Sequence, residues 1–559
     1  MKIDYTCLQS GRRKIDLSFF LFLLSAVLSV ITTYYVSSHY IDSDTSSELI
    51  LASHWIETRN IFSEDWLYGS ELRLFHVQLI YVPLMLLFED WLTVRFLGAL
   101  IMQAIYIASF GCLVHVAGKC RRFFFLGAAL LLLPVSVAYG RIVLYHNHYL
   151  PNITFSFLLL ALSMGFTNEV DWDSKKTWMR LFFLAGLSFA GGLNSIRQLM
   201  ITHAPLLLST FVFCWLEDIQ GNDASKSAFL KPANLNLLFC SFYSAAFSFL
   251  GLKAQNYLCN RLGLRIAIQS ESNIISLLDA DYFNDVLYGF FHQFGYRNNV
   301  PMLSVNGILA LGGIFTGCYL LFLSVKQLRK NISAADRRKS LLAVFFLSYV
   351  AVMMLVFFVT RGSEPLYHYP LYLSLCFSWA VPVLLTALED IPAAIHPLQP
   401  KKFFAVVTVI FVLLSSFVNI CYFNGSDRFP QTYEGLGFQN RDKKAELEDV
   451  AAYLSAEGYD KGYACHWEGN ILTEMTDGQI PMVAIFCGEN GNLSYAPYLY
   501  SLWLRESPCE KPFLLLTEEG SSSFMKSDSS AFCTQIYSDY HHVVYSIDNL
   551  EDFVETLNY

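Results

Sequence analysis

Long apolar runs alternate with short polar stretches over the first three quarters of the chain. Most runs approach about twenty residues, the length that an α-helix needs to cross the hydrocarbon core of a bilayer. The pattern therefore predicts a polytopic α-helical membrane protein with about eleven transmembrane helices. The predicted helices are Leu17–Val36, Val94–Ala117, Phe123–Tyr139, Tyr149–Phe166, Trp178–Gly192, Leu199–Trp215, Leu237–Lys253, Met302–Val325, Leu341–Val359, Tyr369–Leu388 and Phe403–Tyr422.

Two apolar stretches require a separate interpretation. Leu17–Val36 follows a short basic segment and exceeds the apolar region of a cleaved signal peptide, so we interpret it as a retained signal anchor. Val77–Phe88 is too short to cross a bilayer and precedes Glu89 and Asp90. It is predicted to be a re-entrant or interfacial segment.

The lysines indicate the orientation of the predicted helices. If the N-terminus is cytoplasmic, every lysine-bearing loop before the C-terminal region is cytoplasmic too, and Lys326–Lys339 alone holds six basic residues. Cytoplasmic loops carry such an excess of basic residues. We therefore predict a plasma-membrane protein whose acidic stretch Asp42–Glu48, long loop Ala254–Pro301 and C-terminal region all lie outside the cell.

The pattern changes after the last apolar run. Residues 424–559 hold no spanning run, and we expect them to form an exported soluble α/β or α+β domain, while residues 1–423 form the membrane domain. The predicted elements of the C-terminal domain are an amphipathic helix at Ala445–Glu457 and short strands at Gly462–Cys465, Met482–Phe486 and Phe513–Thr517. Its four cysteines allow either two disulfides or four buried thiols; they are Cys465, Cys487, Cys509 and Cys533.

Composition supports a membrane protein and argues against several other classes. Only 15% of the 559 residues are charged, against about 25% in soluble domains, and the mean hydropathy is +0.40. The formal net charge is −9 and the basic residues form no patch, which argues against nucleic-acid binding. The 13 cysteines show no CxxC motif and no His–Cys spacing typical of a metal site.

Three carboxylates follow the first predicted span. Asp42, Asp44 and Glu48 lie within seven residues in the predicted first outer loop, residues 39–75, and precede a short amphipathic helix. Acidic groups at a membrane edge typically face water or a partner, which makes them candidates for a functional site. The alternative is a structural role, in which Asp42 or Asp44 caps that helix and Glu48 lies in its first turns.

Further polar residues collect at the predicted outer ends of the helices. Arg197 and Arg361 could hold a phosphate through their guanidinium groups, or could reach the lipid headgroups. The other candidates share this location but have weaker signals, and Glu71, Arg73 and His76 in the first loop add to them. These other candidates are His146 and His148, for proton relay, substrate binding, metal binding or a position at the membrane interface, and Tyr367 and His368, for substrate binding or an aromatic belt.

This set of groups fits transfer of a group from a lipid phosphate. A carboxylate can take the proton from an acceptor hydroxyl as general base. Cationic groups can stabilise the departing phosphate as its charge develops. A lipid-borne donor presents its reactive bond at the membrane surface, where these residues are predicted.

The arrangement resembles the GT-C superfamily of integral membrane glycosyltransferases, closest to the bacterial protein-mannosyltransferase and aminoarabinose-transferase type. Asp42-Ser43-Asp44, followed by the helix through Ala52 and Trp55, looks like the acidic first-loop motif of that superfamily. The resemblance covers the architecture of the whole chain, whereas few individual residues carry it. No second acid pair of the oligosaccharyltransferase kind is found near Arg141–Tyr149.

The resemblance implies a polyprenyl- or dolichyl-phosphate-linked sugar as donor and inversion at the anomeric carbon. It implies Asp44 as the base, with Asp42 supporting it or also catalytic, and Mg²⁺ or Mn²⁺ as a cofactor of some members. The acceptor would be a hydroxyl of a glycan, lipid or protein. Arg197 and Arg361 are assigned to the donor phosphate by their position in the topology alone.

Two other functions remain open at this point. A transporter or flippase for a lipid-linked or polar solute would place ionisable groups near the membrane centre and often shows matching halves, which this sequence lacks. A non-catalytic membrane scaffold would bind a partner through its C-terminal domain, and Asp42 and Asp44 would then be dispensable.

Overall fold

The computed structural model describes residues 17–69, 71–118, 121–145, 149–168, 170–220, 228–267, 274–275, 280–297, 300–328, 337–361, 370–389, 400–425, 443–497 and 499–557. The helices of its membrane part are α1 Leu17–His39, α2 Ser43–Thr58, α3 Gln78–Met85, α4 Trp91–Val116, α5 Arg121–Leu132, α6 Val137–Gly140, α7 Leu150–Met164, α8 Lys175–Asn194, α9 Ala204–Gln220, α10 Pro232–Leu262, α11 Ala280–His292, α12 Val305–Leu328, α13 Arg337–Val359, α14 Pro370–Glu389 and α15 Pro400–Phe423. Short strands accompany them at β1 Leu67–Tyr68, β2 Arg265–Ile266, β3 Ile274–Ile275 and β4 Thr360–Arg361.

The chain is a polytopic α-helical membrane protein. Each of the eleven predicted spans falls on a helix. Within the described ranges, seven helices are long and apolar enough to cross a membrane. The remaining predicted spans are shorter, bent or more polar than that; α7, for example, has 15 residues.

The predicted span Phe123–Tyr139 is wrong as one straight helix. Helix α5 ends at Leu132, and the next helical segment begins at Val137 with a bend of 100°. Pro134 lies in the break, where its ring and missing N–H prevent the helix from continuing. The freed carbonyls are satisfied by α15, because Asn419 donates to the Pro134 oxygen at 2.8 Å and Ser415 to the Val135 oxygen at 2.9 Å.

The stretch Val77–Phe88 contains no helix long enough to cross a bilayer. It forms the short helix α3, which packs between α2 and α4. Eight helical residues extend only about 12 Å. This helix therefore supports α2 from one side.

Helices α8 and α10 are in close backbone contact. A Cβ atom on Gly192 would lie 1.8 Å from the Ser248 carbonyl oxygen, and one on Gly251 would lie 2.1 Å from the Phe189 oxygen. Only glycine permits this approach, which is the usual way that membrane helices gain packing energy. The contact fixes the end of α8 beside the first loop, where Asn194 exchanges hydrogen bonds with the backbone of Phe75 at 2.7 and 2.9 Å.

The C-terminal part contains a six-stranded mixed sheet. Its strands are β5 Lys461–Cys465, β6 Met482–Cys487, β7 Leu493–Tyr495, β8 Pro512–Thr517, β9 Cys533–Ser538 and β10 His542–Ile547, in the spatial order β7-β6-β5-β8-β10-β9. Strands β6, β5 and β8 are parallel, whereas β7, β10 and β9 pair antiparallel. The helices of this part are α16 Lys443–Glu457, α17 His466–Met475, α18 Trp503–Glu506, α19 Glu518–Phe524 and α20 Leu550–Glu555.

The predicted helix and all three predicted strands of this domain are present, whereas β7, β9 and β10 were not predicted. The four cysteines are free, half-buried thiols, so the structure contains neither of the two disulfides that the sequence allowed. The domain boundary between residues 423 and 424 stays a prediction from the sequence.

Candidate active site between helix α2 and the C-terminal domain

The acidic stretch is the beginning of helix α2. Asp42 is its N-cap residue and accepts a hydrogen bond from the Asp44 amide at 3.0 Å, while its carbonyl accepts from the hydroxyls of Thr45 and Ser46 at 2.9 Å each. The structural role considered for Asp42 is therefore present. It does not exclude a chemical role, because the Asp44 side chain remains 40% exposed in the first turn, where the helix dipole favours negative charge.

Asp44 faces the first residue of α17, which belongs to the C-terminal domain. His466 follows directly after strand β5, and its side chain is only 1% exposed. Its Nε2 lies 3.5 Å from Asp44 Oδ1 and 3.2 Å from Ser43 Oγ. One turn further, Asn470 Nδ2 lies 3.2 Å from Ser43 Oγ and 3.4 Å from His466 Nδ1. Ser43 and His466 are separated by 423 residues in the sequence. Two distant segments of the chain therefore meet at the Asp44 carboxylate.

A buried ion pair fastens the other end of α17. Glu474 is fully buried, and both of its oxygens accept from the guanidinium of Arg95 in α4, with Nε at 2.5 Å from Oε1. Ser46 donates to Glu474 Oε2 at 2.6 Å, and Arg95 Nη1 donates to Thr45 Oγ1 at 2.5 Å. A bidentate arginine–carboxylate pair has a narrow geometry. It therefore fixes α17 relative to both α2 and α4.

A second group of charges lies further along α2 and is called the arginine–carboxylate cluster here. Its members alternate in sign and are Glu48, Arg73, Glu71 and Arg197. Arg73 pairs with Glu48 and lies 3.6 Å from Glu71 Oε2, and Arg197 Nε lies 2.5 Å from Glu71 Oε1. Arg73 adopts a left-handed φ of 52°, which costs a non-glycine residue about 1–2 kcal/mol. Strain of that kind is frequent at functional sites.

Tyr149 links this cluster to the acidic pair. The guanidinium of Arg197 lies 6.0 Å from the centre of the Tyr149 ring. Burial raises the pKa of Tyr149 above its usual value of 10, the Arg197 charge opposes that shift, and the Asp44 charge adds to it. The geometric link is the contact of Tyr149 with Arg197.

Burial also changes the acidity of Asp42. Burial, assisted by the neighbouring Asp44 charge, raises the pKa of Asp42 from 3.8 to about 6, while Arg141 and Arg95 oppose the shift. Two carboxylates this close share their titration. A carboxyl group with a pKa near 6 exchanges protons close to neutral pH, as general acid–base catalysis requires.

The side chains around Asp42 and Asp44 determine whether a divalent cation fits there. Among the described residues, no group of three or more His, Cys, Asp and Glu side chains forms a metal-binding arrangement. One Asp42 oxygen is engaged by the Asp44 amide. The described donors around Asp42 and Asp44 therefore do not complete a metal site of their own, and Mg²⁺ or Mn²⁺ remains a prediction of the resemblance.

The structure brings together only some of the predicted site residues. Asp42, Asp44, Glu48 and Arg197 lie along α2 and the adjoining loops, as described above. The backbone of Arg361 pairs with Ile274 in the short β3–β4 ribbon. The other predicted residues fall outside the described ranges; they are His146, His148, Tyr367 and His368.

The sequence did not indicate the contribution of the C-terminal domain. The stretch Trp467–Asn470 lies in the first turns of α17. No pattern in the sequence distinguishes His466, Glu474 or Arg95 as site residues. Their one indirect signal is chemical. A histidine, glutamate or arginine that is buried requires a hydrogen-bonding or charged partner.

The membrane helices, the acidic first loop and the sheet-containing C-terminal domain together form the fold of the GT-C membrane glycosyltransferases. This confirms the fold that the sequence resemblance implied. No protein-family model matches the chain, and neither does any curated protein.

Individual solved structures illustrate the likeness. The apo form of ArnT from Cupriavidus metallidurans superimposes with a TM-score of 0.50 at 12% identity, covering 94% of this chain and 98% of ArnT. ArnT bound to undecaprenyl phosphate gives 0.49 at 12% identity, covering 94% and 97%. The oligosaccharyltransferase of Archaeoglobus fulgidus, tethered to an acceptor peptide, gives 0.49 at 11% identity, covering 96% of this chain and 75% of its own.

Proposed function

We propose that the protein is a membrane glycosyltransferase that moves a sugar from a polyprenyl-phosphate donor to a hydroxyl acceptor, with Asp44 as general base. The observation that carries the proposal is the Asp42–Asp44 pair at the start of α2. Asp44 stays partly exposed beside the buried side chain of His466. A base needs access to its substrate and a fixed orientation, and this carboxylate has both.

The reaction assigns one task to each group. Asp44 takes the proton of the acceptor hydroxyl while the acceptor oxygen bonds to the anomeric carbon. The bond between that carbon and the phosphate oxygen breaks, and the polyprenyl phosphate leaves with the electron pair. Arg197 binds the phosphate, where a guanidinium offsets the developing charge; Arg361 is retained as a second candidate for this task.

The class of donor is inferred from the fold and from the location. ArnT, whose apo form shares the fold, is a protein crystallised with undecaprenyl phosphate. A lipid-linked donor suits a site at the ends of membrane helices, since its sugar–phosphate bond lies at the membrane surface. With the N-terminus in the cytoplasm, as the lysines predict, the transfer occurs at the outer face of the plasma membrane.

The test is donor cleavage by the purified protein in lipid vesicles. A panel of polyprenyl-phosphate sugars is supplied together with hydroxyl acceptors from the glycan, lipid and peptide classes, and with Mg²⁺, with Mn²⁺ or with EDTA, and the release of polyprenyl phosphate is measured. We expect release from at least one donor, and no release from the double variant Asp42→Asn/Asp44→Asn purified in equal amount. Movement of intact donor across the vesicle without cleavage would instead support the flippase alternative and overturn the proposal.

Activity is expected to depend on pH through Asp42. Its folded pKa of about 6 lies above its ordinary value of 3.8, so acidification through about pH 6 neutralises Asp42 and should slow the transfer. The same sign means that ionised Asp42 weakens folding at neutral pH. Asp42→Asn, which retains an N-cap oxygen, should therefore lose the step near pH 6 and be at least as heat-stable as the wild type.

Rates measured between about pH 5 and pH 8, the range that brackets this step, test the expectation. A step near pH 6 that persists unchanged in Asp42→Asn would contradict the prediction.

Arg197→Gln is expected to raise KM for the donor by about tenfold and also to lower kcat, because the guanidinium binds the phosphate in the ground state and offsets the charge that develops on it in the transition state. Arg197→Lys keeps the positive charge but not the forked geometry of the guanidinium, so its KM for the donor should lie between those of the wild type and Arg197→Gln. Steady-state kinetics with the best donor provide the measurement. An unchanged KM in a folded Arg197→Gln variant would show that Arg197 serves only as the partner of Glu71.

A further inference from the structure

We propose that His466 of the C-terminal domain is a positioning residue for Asp44, so that the active site is complete only when this domain is docked. The inference rests on the proposed function. It goes beyond that function by assigning a role to a residue outside the membrane domain. The contacts of His466 with Asp44 and Ser43, its burial, and the fastening of α17 at both ends carry the argument.

The hydrogen bonds around Ser43 assign the proton of His466. The Ser43 hydroxyl donates to the backbone carbonyl of His466, so Ser43 Oγ is an acceptor for its other neighbours. His466 Nε2, at 3.2 Å, must then supply the hydrogen. The Nε2–H group points at the same time toward Asp44 Oδ1 at 3.5 Å. The neutral imidazole therefore offers its donor to the Asp44 side, and its Nδ1 is left as an acceptor.

Asn470 supports this arrangement from behind. Its Nδ2 group has two hydrogens and lies 3.2 Å from Ser43 Oγ and 3.4 Å from His466 Nδ1. The amide thus donates toward the ring nitrogen that carries no proton. The chain Asn470–His466–Asp44 fixes the ring orientation, in the way that partners behind a reacting group commonly do.

The fold holds this chain in place through α17. At its first residue the helix contacts Ser43 and Asp44, and near its end Glu474 is bound by Arg95 and Ser46. Just beyond the helix, Asp477 accepts a hydrogen bond from the Trp91 amide at 2.8 Å. Docking of the domain and orientation of the base are therefore one structural event.

The experiment compares His466→Phe, His466→Gln and wild type in the vesicle assay with the best donor. Phe fills the volume but removes both ring nitrogens, whereas Gln restores an N–H donor. We expect His466→Phe to lower kcat by about 10- to 100-fold with an unchanged KM for the donor, and His466→Gln to recover most of that loss. His542→Phe is the matched control, because His542 is buried in the same domain away from α2, and it should keep wild-type activity.

Combination with Asp44→Asn separates positioning from a general structural effect. If His466 acts through Asp44, His466→Phe should cause no further loss in the Asp44→Asn background, whereas a structural defect would add to it. If thermal unfolding shows that His466→Phe is not folded, Asn470→Ala provides the same comparison, because Asn470 is the hydrogen-bond partner behind His466. Wild-type kcat in folded His466→Phe, or additive losses with Asp44→Asn, would overturn the inference. Absence of donor cleavage by the wild type would instead refute the proposed function on which it rests.

Discussion

Asp44→Asn is expected to lower kcat for sugar transfer by about 10²- to 10⁴-fold, the range that general-base catalysis contributes. The amide keeps the shape of the side chain and can still accept a hydrogen bond from His466, but it cannot take a proton. Since the carboxylate is partly exposed and its loss leaves no buried charge without a partner, heat stability should change little. Release of polyprenyl phosphate under saturating donor is the measurement.

Asp90→Asn is the matched control for this variant. Asp90 caps α4 at the same end of the helical bundle, where its side chain accepts from the amides of Leu92 and Thr93 at 3.3 and 3.1 Å. The replacement removes one carboxylate from a helix N-terminus without touching the site, so transfer should remain at the wild-type level. A folded Asp44→Asn protein with wild-type kcat would reject Asp44 as the base and direct attention to the buried Glu48 and Glu71.

A weaker effect is expected to accompany these results. Asp42 lies behind Asp44 as the helix cap, and one of its oxygens is already engaged by the Asp44 amide. Its replacement by Asn should therefore reduce transfer less than Asp44→Asn does. Comparing the losses of transfer in Asp42→Asn and Asp44→Asn therefore decides whether Asp42 supports Asp44 or is itself catalytic, which the resemblance left open.

The membrane part could be predicted from the sequence because lipid imposes a strong and local constraint. A spanning helix must be apolar over about twenty consecutive residues, and that signal does not depend on distant partners. The exception, the bend after Leu132, illustrates the limit. Pro134 can be seen in the sequence. The groups that satisfy the carbonyls freed at the break, the Asn419 amide and the Ser415 hydroxyl, lie 285 and 280 residues further along the chain and cannot be paired with it by inspection.

The candidate site was predictable only where its residues are close in sequence. Asp42, Asp44 and Glu48 could be found because they form one acidic stretch after an apolar run. His466 and Glu474 belong to a different domain, and their separations of 423 and 428 residues from Ser43 and Ser46 carry no periodic signal. The pairing of Glu71 with Arg197 likewise depends on the close approach of α8 and the first loop, which becomes visible only after folding.

Glu474→Ala is expected to be the most destabilising of the variants considered. Glu474 is fully buried, and its removal leaves the Arg95 guanidinium, itself 3% exposed, without its carboxylate. Removing one partner of a buried ion pair typically costs about 3–5 kcal/mol, because the remaining charge is no longer compensated. We expect a clear fall in the Tm of the detergent-solubilised protein and faster proteolytic release of the C-terminal domain.

Two controls distinguish the buried pair from a general effect of charge. Glu457→Ala removes a carboxylate that lies 3.7 Å from Lys511 at the surface of the same domain, and exposed pairs of this kind contribute at most about 1 kcal/mol. The double variant Arg95→Met/Glu474→Met removes both charges, and apolar replacement of a buried pair is often neutral. It should recover much of the Tm that Glu474→Ala loses.

The two readouts together test whether docking and catalysis are coupled. If α17 holds His466 against Asp44, Glu474→Ala should lose transfer activity at temperatures where its membrane helices are still folded, since undocking removes the positioning residue before the base itself is disturbed. The recovered double variant should regain both stability and transfer. A Glu474→Ala protein with unchanged Tm, unchanged proteolysis and full activity would show that the Arg95–Glu474 pair does not hold the domain in place.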